Sequence, residues 1–423
     1  MTGAPLEVHL AGEEIGRLER DDRGRLTFTY LDSHRSAVGA TPLSCSMPLA
    51  AARHRDRVVA PFLWGLLPDN DRVLERWGRD FQVSPTNAYA LLSHVGADLP
   101  GAVQILTPLR RRVARSDHVD WLDEDDVAAL LRRVRDDTTA WLAPGADGRW
   151  SLAGAQAKIA LLEKDGRWGR PSGRTPTNRI LKPGIEGLPD ADLNEHLCLA
   201  AARRLGLRAA ATRVMRFGEE RAIVVDRYDR VFDADGEIVR IHQEDLCQAL
   251  AVHPVHKYQA DGGPGPADIV AVLRDNVDGG HADADVASFV DALIFNWIVA
   301  APDAHAKNYS LLLHGRSVRL APLYDIASAL PYDEYHEPKV KLAMKVGTHY
   351  RVGSIGRSAW RRLAGEVGVD ADGLLGRAVD LAERTPSAIA DAAAALPDPP
   401  SPFVATMVEL VSARASRCAA ALG

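Results

Sequence analysis

The stretch DVASFVDALIFNWIVA, residues 285–300, most constrains what this chain can fold into. Val286, Phe289, Val290, Leu293, Ile294, Trp297 and Ile298 recur at i, i+3, i+4, i+7, i+8, i+11 and i+12. That period puts them on one face and predicts a buried amphipathic helix. The helix runs into APDAHAKNYSLLL, where Asp303, His305, Lys307 and Asn308 stand within six residues. A turn needs Gly, Pro or Asn. It does not need an acid, a base and an amide together.

The next residues read as a hairpin: strand YSLLL, turn HGR, strand SVRL, then Asp325. A hairpin would return Asp325 beside Asn308, although 17 residues separate them. Phosphoryl transfer needs such a set. One carboxylate orients the attacking hydroxyl and accepts its proton, while an amide oxygen and a second carboxylate hold Mg²⁺. The D-x-x-x-x-N spacing is also common, and a polar turn with Asp303 as a cap and Asn308 opening a strand accounts for it equally well.

Upstream, residues 1–105 read as a small α+β unit. It has two strands around DDRG, helices broken near Pro68, and a helix then a strand in NAYALLSHVGADLPGAVQIL. DEDDVAALLRRVRD starts acidic and ends basic, as the helix dipole favours, and APGADGR reads as a boundary loop. From Trp150 the pattern is strand-rich: RWSL, a turn, KIALLE, KDG, RWGR, NRILKP, RAIVV and an Asp-Gly hairpin in FDADGEIVRI. The helix DADLNEHLCLAAARRLGL interrupts it, with a capping-box-like start from Asp192 to Glu195. From QEDLCQALAV onward the chain is helix-rich. The expected segments are 1–105, 106–242 and 243–423.

Lys182, on RILKP, is placed as a kinase lysine reaching the α/β-phosphates would be, and Glu195 is its candidate ion-pair partner. A strand-end lysine snorkelling to solvent fits as well. SLAGAQAK could present backbone N–H groups to phosphate, but Gly154 is its one glycine, so composition supports this weakly. VVDRYDR follows a buried strand, where kinase lobes join. It reads equally as a strand-end salt-bridge cluster. Together the pieces stand in kinase order, and agreement in order says more than any one of them. The histidines lack H-E-x-x-H spacing, and no G-x-S-x-G elbow is present.

Net charge is −6 over 423 residues, so no global basic field is available for nucleic acid. The runs LRRRVARS and GRSAWRRL read as solvated faces or linkers. Cys45, Cys198, Cys247 and Cys418 form no CxxC pair, which argues against structural zinc and disulfides. The N-terminus shows no signal-peptide pattern, and ALIFNWIVAA is too short to span a membrane. A cytoplasmic protein without a membrane partner is expected.

The chain resembles the HipA family of serine/threonine-kinase toxins from bacterial toxin–antitoxin modules. PLSCSMPL, PFLWGLLPDNDR, VGADLPGAVQIL, SLAGAQAKIAL, ILKP, NEHLCLAAARRLGL, VVDRYDR, HQEDLCQALAV, FNWIVAAPDAHAKNYSLLL and LAPLYDIAS carry the resemblance over almost the whole length. It implies an α+β, two-lobed protein-kinase-like fold. The N-lobe would be strand-rich with an extra N-terminal α+β subdomain, and the C-lobe all-helical. It implies ATP and Mg²⁺ as cofactors, Asp303 as catalytic base, and Asn308 and Asp325 as metal ligands. Lys182 would contact the ATP phosphates. Ala153, Gly154, Ala155, Gln156, Ala157 and Lys158 would form the phosphate-covering loop. Asp226, Arg227 and Tyr228 would form the adenine hinge, and His305, Ala306, Lys307 and Asn308 would also touch nucleotide.

Ser151 matches the serine that family members autophosphorylate to expel this loop and silence themselves. The implied partners are a HipB-like helix-turn-helix antitoxin and, through it, operator DNA. The implied substrate is an aminoacyl-tRNA synthetase, typically the glutamyl enzyme, with growth arrest and persistence as the outcome. Two departures stand out: Asp226 where Glu is more usual, and RTPTNRILKP in place of a Ser-Thr-His lead-in. Two other readings remain: a kinase-like co-repressor working mainly through its antitoxin on DNA, and a small-molecule phosphotransferase. The N-terminal 100 residues and SLAGAQ are foreign to the latter.

Overall fold

Alternating apolar residues in LEVHL, EEIGRLER and LTFTY fold the first hundred residues around an antiparallel sheet. Its order is Arg53–Arg55, Leu26–Tyr30, Glu13–Arg20, Leu6–Leu10, Val103–Leu106. The computed structural model describes residues 5–108, 118–142, 150–172, 175–399 and 401–423, so LRRRVARS and APGADGR lie outside the described residues. Two compact units emerge. One comprises Met1–Pro183, Met215–Val255 and Leu311–Val318; the other comprises Gly184–Val214, His256–Ser310 and Arg319–Gly423. The expected first segment and most of the strand-rich segment thus share one unit, while the helix after RILKP belongs to the other.

In the first unit, helices Asp56–Gly65 and Asp71–Phe81 are separated around Pro68, as expected. Asn70 caps the second by accepting the N–H groups of Arg72 and Val73. Phe28, Phe62, Leu63, Val73, Trp77, Leu91 and Leu92 pack as the core. PLSCSMPL turns onto a buried acid: Ser44 Oγ donates to Glu244 Oε2 at 2.5 Å and Cys45 N–H to Oε1 at 2.7 Å.

A six-stranded sheet follows, ordered Thr212–Phe217, Glu220–Asp226, Arg179–Pro183, Ile159–Lys164, Arg167–Ser172, His118–Leu122. Helix Glu124–Asp136 starts with an Asp123/Asp126 capping box and packs Val127, Leu131 and Val134 against Ile159, Leu161, Leu181 and Val224. The hairpin Arg230–Phe232/Ile238–Arg240 forms as the Asp-Gly signal predicts. RWSL departs from expectation. Among its described residues, 150–152, the one bridge is Trp150 to Asp98, and residues 151–158 form no strand. Carbonyls of this stretch are taken by side chains and loop amides outside any ladder.

In the second unit, helix Ala282–Ile298 buries every residue of the predicted face. It also buries Phe295 and Asn296, so burial extends nearly all round. Helices Arg357–Val367, Ala371–Ala394 and Pro402–Leu422 complete the helical part, and Trp297 meets Trp360 edge-on at 5.5 Å. This part is not all-helical: Lys341–Val346 and His349–Arg351 form a ribbon. The capping box expected at Asp192 is also absent. Helix Ala191–Arg204 starts from Asp190 in the left-handed region (φ 52°) without a side-chain cap, and Asp192 is buried in its first turn. GRSAWRRL opens helix Arg357–Val367 as a solvated face, with Arg361 and Arg362 on exposed Asp372 and Glu366. All four cysteines are free thiols. Among the described residues no helix is long and apolar enough to cross a membrane.

Burial pushes the Glu244 pKa up to about 7 from 4.5; the Cys45 N–H and Ser44 hydroxyl pull it down, and Asp245 adds to the rise. A raised acid holds its proton in the native state after the unfolded chain has released it. Stability from Glu244 is therefore full below about pH 4.5 and is lost as pH rises through about 7, by up to about 3 kcal/mol. Chemical denaturation of Glu244→Gln, which cannot titrate, should diverge from wild type over this window, with wild type losing stability as pH rises.

Candidate active site

The helix Ala282–Ile298 delivers the chain into the acid-rich turn, and Ala300 takes a left-handed backbone (φ 51°) to leave it. The turn then closes on one atom. Asp303 O accepts the N–H of His305 at 2.8 Å and the Asn308 side-chain amide at 2.6 Å. This commits Asn308 Nδ2, so its oxygen faces elsewhere. The short turn Ala306–Asn308 is buried, whereas the Asp303 side chain is 59% exposed.

The hairpin forms as Ser310–His314 and Ser317–Leu320. Its return is pinned within the second unit. Tyr324 OH donates to Lys307 O at 2.7 Å and shares a 2.7 Å bond with Ser310 Oγ. Leu323 bridges Ala209, with Leu323 N–H on Arg208 O and Ala210 N–H on Leu323 O. Asp325 then adopts φ 57°. Asn308 and Asp325 thereby line one small cavity with Asn296, Ala304, Tyr309, Leu323, Tyr324 and Ile326. The predicted approach of Asp325 to Asn308 is realised.

Asn296 is the residue that sequence reasoning passed over. Its amide donates to Tyr309 OH at 2.9 Å, while its Oδ1 is buried with no donor among the described residues. A buried carbonyl oxygen without a donor costs about 1–3 kcal/mol. With Asn308 and Asp325 it makes an oxygen-only set, which fits a hard cation such as Mg²⁺. Its signal was an Asn inside an otherwise apolar helix. Asn194 was overlooked for its neighbour Glu195. Asn194 accepts Ser328 N–H and donates to Ser328 O, both at 2.8 Å, which fixes the chain just past Asp325. Glu195 itself is buried.

In the first unit, Lys182 is buried on strand Arg179–Pro183, on the face opposite Leu181. The Ser151–Lys158 loop is held through its carbonyls. Ala153 O accepts Lys158 Nζ at 2.6 Å, Gly154 O accepts Asp69 N–H at 3.1 Å, and Ala155 O accepts Asn70 Nδ2 at 3.3 Å. Lys158 also lies over the Trp141 ring at 4.9 Å. The N–H groups of Gly154, Ala155 and Gln156 donate to no acceptor among the described residues. Carbonyls turned inward and amides left unspent are what a backbone anion cradle requires. Gly154 has φ +100°, a conformation that favours glycine. Ser151 is fully buried, its hydroxyl donating to Leu66 O at 2.7 Å and its N–H to Asp98 O at 3.0 Å.

For VVDRYDR, the side chains make the ion-pair cluster. Asp226 pairs with Arg179 at 3.2 Å, and Tyr228 OH donates to Gln243 Oε1. Arg227 is buried against Asp229, Thr177, Leu99 O and Asp98, and its N–H goes to Asn178 O. Any adenine contact here falls to backbone groups other than that N–H. Arg230 reaches Asp98 Oδ1 at 2.9 Å and Gly101 O at 2.8 Å. Burial opposes the charge on Asp98, but Arg227, Arg230 and Arg240 outweigh it and hold its carboxyl well below the usual range.

Residues 6–106 match the HipA N-terminal domain and residues 150–394 the HipA-like C-terminal domain. The protein named as kinase Y4mE in Sinorhizobium fredii is 35% identical over 92% of each chain. The serine/threonine-protein kinase toxin HipA of Shewanella oneidensis is 27% identical over 93% of this chain and 90% of that one. Among solved structures, the Shewanella oneidensis MR-1 complex of HipA, HipB and operator DNA superposes with a TM-score of 0.84 at 24% identity, over 99% and 98% of the chains. With this kinase-like fold, the chain is a serine/threonine-protein kinase. It belongs to the HipA family of kinase toxins.

Removing the Asp98 carboxylate leaves three buried guanidiniums, those of Arg227, Arg230 and Arg240, short of an anion. Asp98→Ala should lower unfolding free energy by about 3–5 kcal/mol, as read by urea denaturation.

Proposed function

We propose that the chain transfers the γ-phosphoryl group of ATP to serine or threonine hydroxyls of a protein, with Asp303 as the base. The observation that carries this is the closure of the turn: Asn308 clamped to Asp303 O, with Asp325 on the same small cavity. Asn308 and Asp325 would hold Mg²⁺, which when bound would neutralise charge on the ATP phosphates. Lys182 contacts phosphates, and the amides of Gly154 to Gln156 cover them. The Asp226–Tyr228 backbone meets adenine, and His305 to Lys307 shape the nucleotide side of the turn.

Ser151 is the autophosphorylation site that switches the kinase off. The HipB-bound, operator-bound state of the Shewanella relative supports a HipB-like antitoxin and operator DNA as partners. An aminoacyl-tRNA synthetase, the glutamyl enzyme first among them, is the substrate class proposed.

Purified chain incubated with Mg-ATP should gain one phosphate, mapped by mass spectrometry to Ser151. Asp303→Ala should gain none. Wild type that binds ATP yet remains unlabelled would sink the autophosphorylation reading. Phosphoproteomics after expression, wild type against Asp303→Ala, should enrich a synthetase site; enrichment of an unrelated protein would replace the substrate.

A further inference from the structure

The carboxylate of Asp303 is gripped from outside its own turn. Tyr258, between the short turns Pro254–His256 and Gln259–Asp261, donates its hydroxyl to Asp303 Oδ1. Its ring stands edge-on to His305, with centroids 4.8 Å apart and planes at 86°. His305 Nε2 lies 3.8 Å from the same Oδ1. One residue earlier, Lys257 O accepts the N–H of Ala306 at 3.3 Å. One residue later, Gln259 Oε1 accepts the N–H of Lys345 at 2.7 Å. Tyr258 O takes the N–H groups of Asp261 and Gly263, both at 3.0 Å. Gly263 has no room for a Cβ, which would stand 1.9 Å from His256 O. Lys257, Tyr258 and Gln259 thus join a closed loop to the turn on one side and to the ribbon on the other.

We propose that Tyr258 is a positioning residue for phosphoryl transfer, its hydroxyl fixing the Asp303 carboxylate so that Oδ2 meets the acceptor hydroxyl. This rests on the reading of Asp303 as the base. The Asp303 side chain is 59% exposed, so little packing sets its rotamer. A base works only within hydrogen-bond reach of the proton it takes, and a small misplacement costs rate steeply. As the acceptor oxygen bonds the γ-phosphorus, its proton passes to Oδ2. The bond from that phosphorus to the bridging oxygen breaks, and ADP leaves with the electron pair. The tyrosine keeps its own proton throughout and holds Oδ1.

The test follows phosphate incorporation into the full chain from Mg-ATP by intact-mass spectrometry at varied ATP. Tyr258→Phe keeps the ring against His305 and removes only the hydroxyl. Its maximal rate should fall about tenfold or more, with half-saturating ATP within about twofold of wild type and an unchanged thermal midpoint. Tyr258→Phe in an Asp303→Asn background should cost nothing further. A wild-type rate for Tyr258→Phe overturns the proposal. So does a faster one, which would make the tyrosine a blocker of the acceptor position. A rise in half-saturating ATP together with a lower midpoint overturns it in favour of a purely architectural role. Asp303→Asn labelling at the wild-type rate overturns the base assignment itself, whereas unlabelled Asp303→Asn beside fully active Tyr258→Phe overturns only the role of the tyrosine.

Discussion

Asp98 is the atom-level junction of the first unit. Its carboxylate holds Arg227, Arg230 and both the N–H and hydroxyl of Thr177. Its backbone carbonyl holds the N–H of Ser151. A carboxylate removed from water is tolerable only when its partners surround it, and here they do. The arrangement forces VVDRYDR, the Thr177 segment and the start of the SLAGAQAK loop to meet at one residue of VGADLPG. Gly101 belongs to the same knot: its N–H donates to Asp229 Oδ2 at 2.7 Å, and a Cβ there would stand 2.6 Å from Gln243 N. The N-terminal hundred residues are therefore part of the scaffold that shapes the loop and the VVDRYDR segment.

That scaffold makes the condition of Ser151 a two-way choice. The serine is fully buried, and its hydroxyl is a donor to Leu66 O. A phosphoserine has no proton to give there, and it brings about −1.5 to −2 charge against a carbonyl oxygen in a dry site. The docked loop and the phosphorylated serine exclude one another on electrostatic grounds alone. Undocking also releases Gly154 O from Asp69 and Ala155 O from Asn70. The amides that would cradle phosphate then lose the anchors that aim them, so under the proposed role of Ser151 a phosphate at one end of the loop would disarm the other.

Elements with strong local signals were legible in the sequence. The 3.6-residue period gave helix Ala282–Ile298, the Asp-Gly pair gave its hairpin, and D-x-x-x-x-N with a following hairpin gave the approach of Asp325 to Asn308. What escaped depended on contacts distant in sequence. RWSL looks like a strand, but the N–H of Ser151 goes to Asp98 O, 53 positions earlier, instead of a ladder. Asp192 looks like a cap, but the helix begins before it. Asn296 and Asn194 carry no motif; their meaning lies in a buried Oδ1 on a residue that lines the Asn308–Asp325 cavity and in a bond pair to Ser328. The two readings of VVDRYDR could not be separated by composition, because a hinge and a salt-bridge cluster ask for the same residues.

The acid-rich turn divides its labour by burial. Asn308, Lys307 and His305 are almost fully covered, and Asp303 O is fixed by two donors. The Asp303 carboxylate alone stands well into solvent. A group that serves a metal or nucleotide gains from being rigid and dry, since a low dielectric strengthens each electrostatic contact. A base that serves a protein substrate has to be reachable from outside. Exposure gives access at the expense of rotamer control, and the Tyr258 hydroxyl on Oδ1 supplies such control from outside the turn. That control has to come from a neighbouring segment that is itself stiff, and KYQADGG, closed on its own carbonyls and held to the ribbon by Gln259, is built in that way.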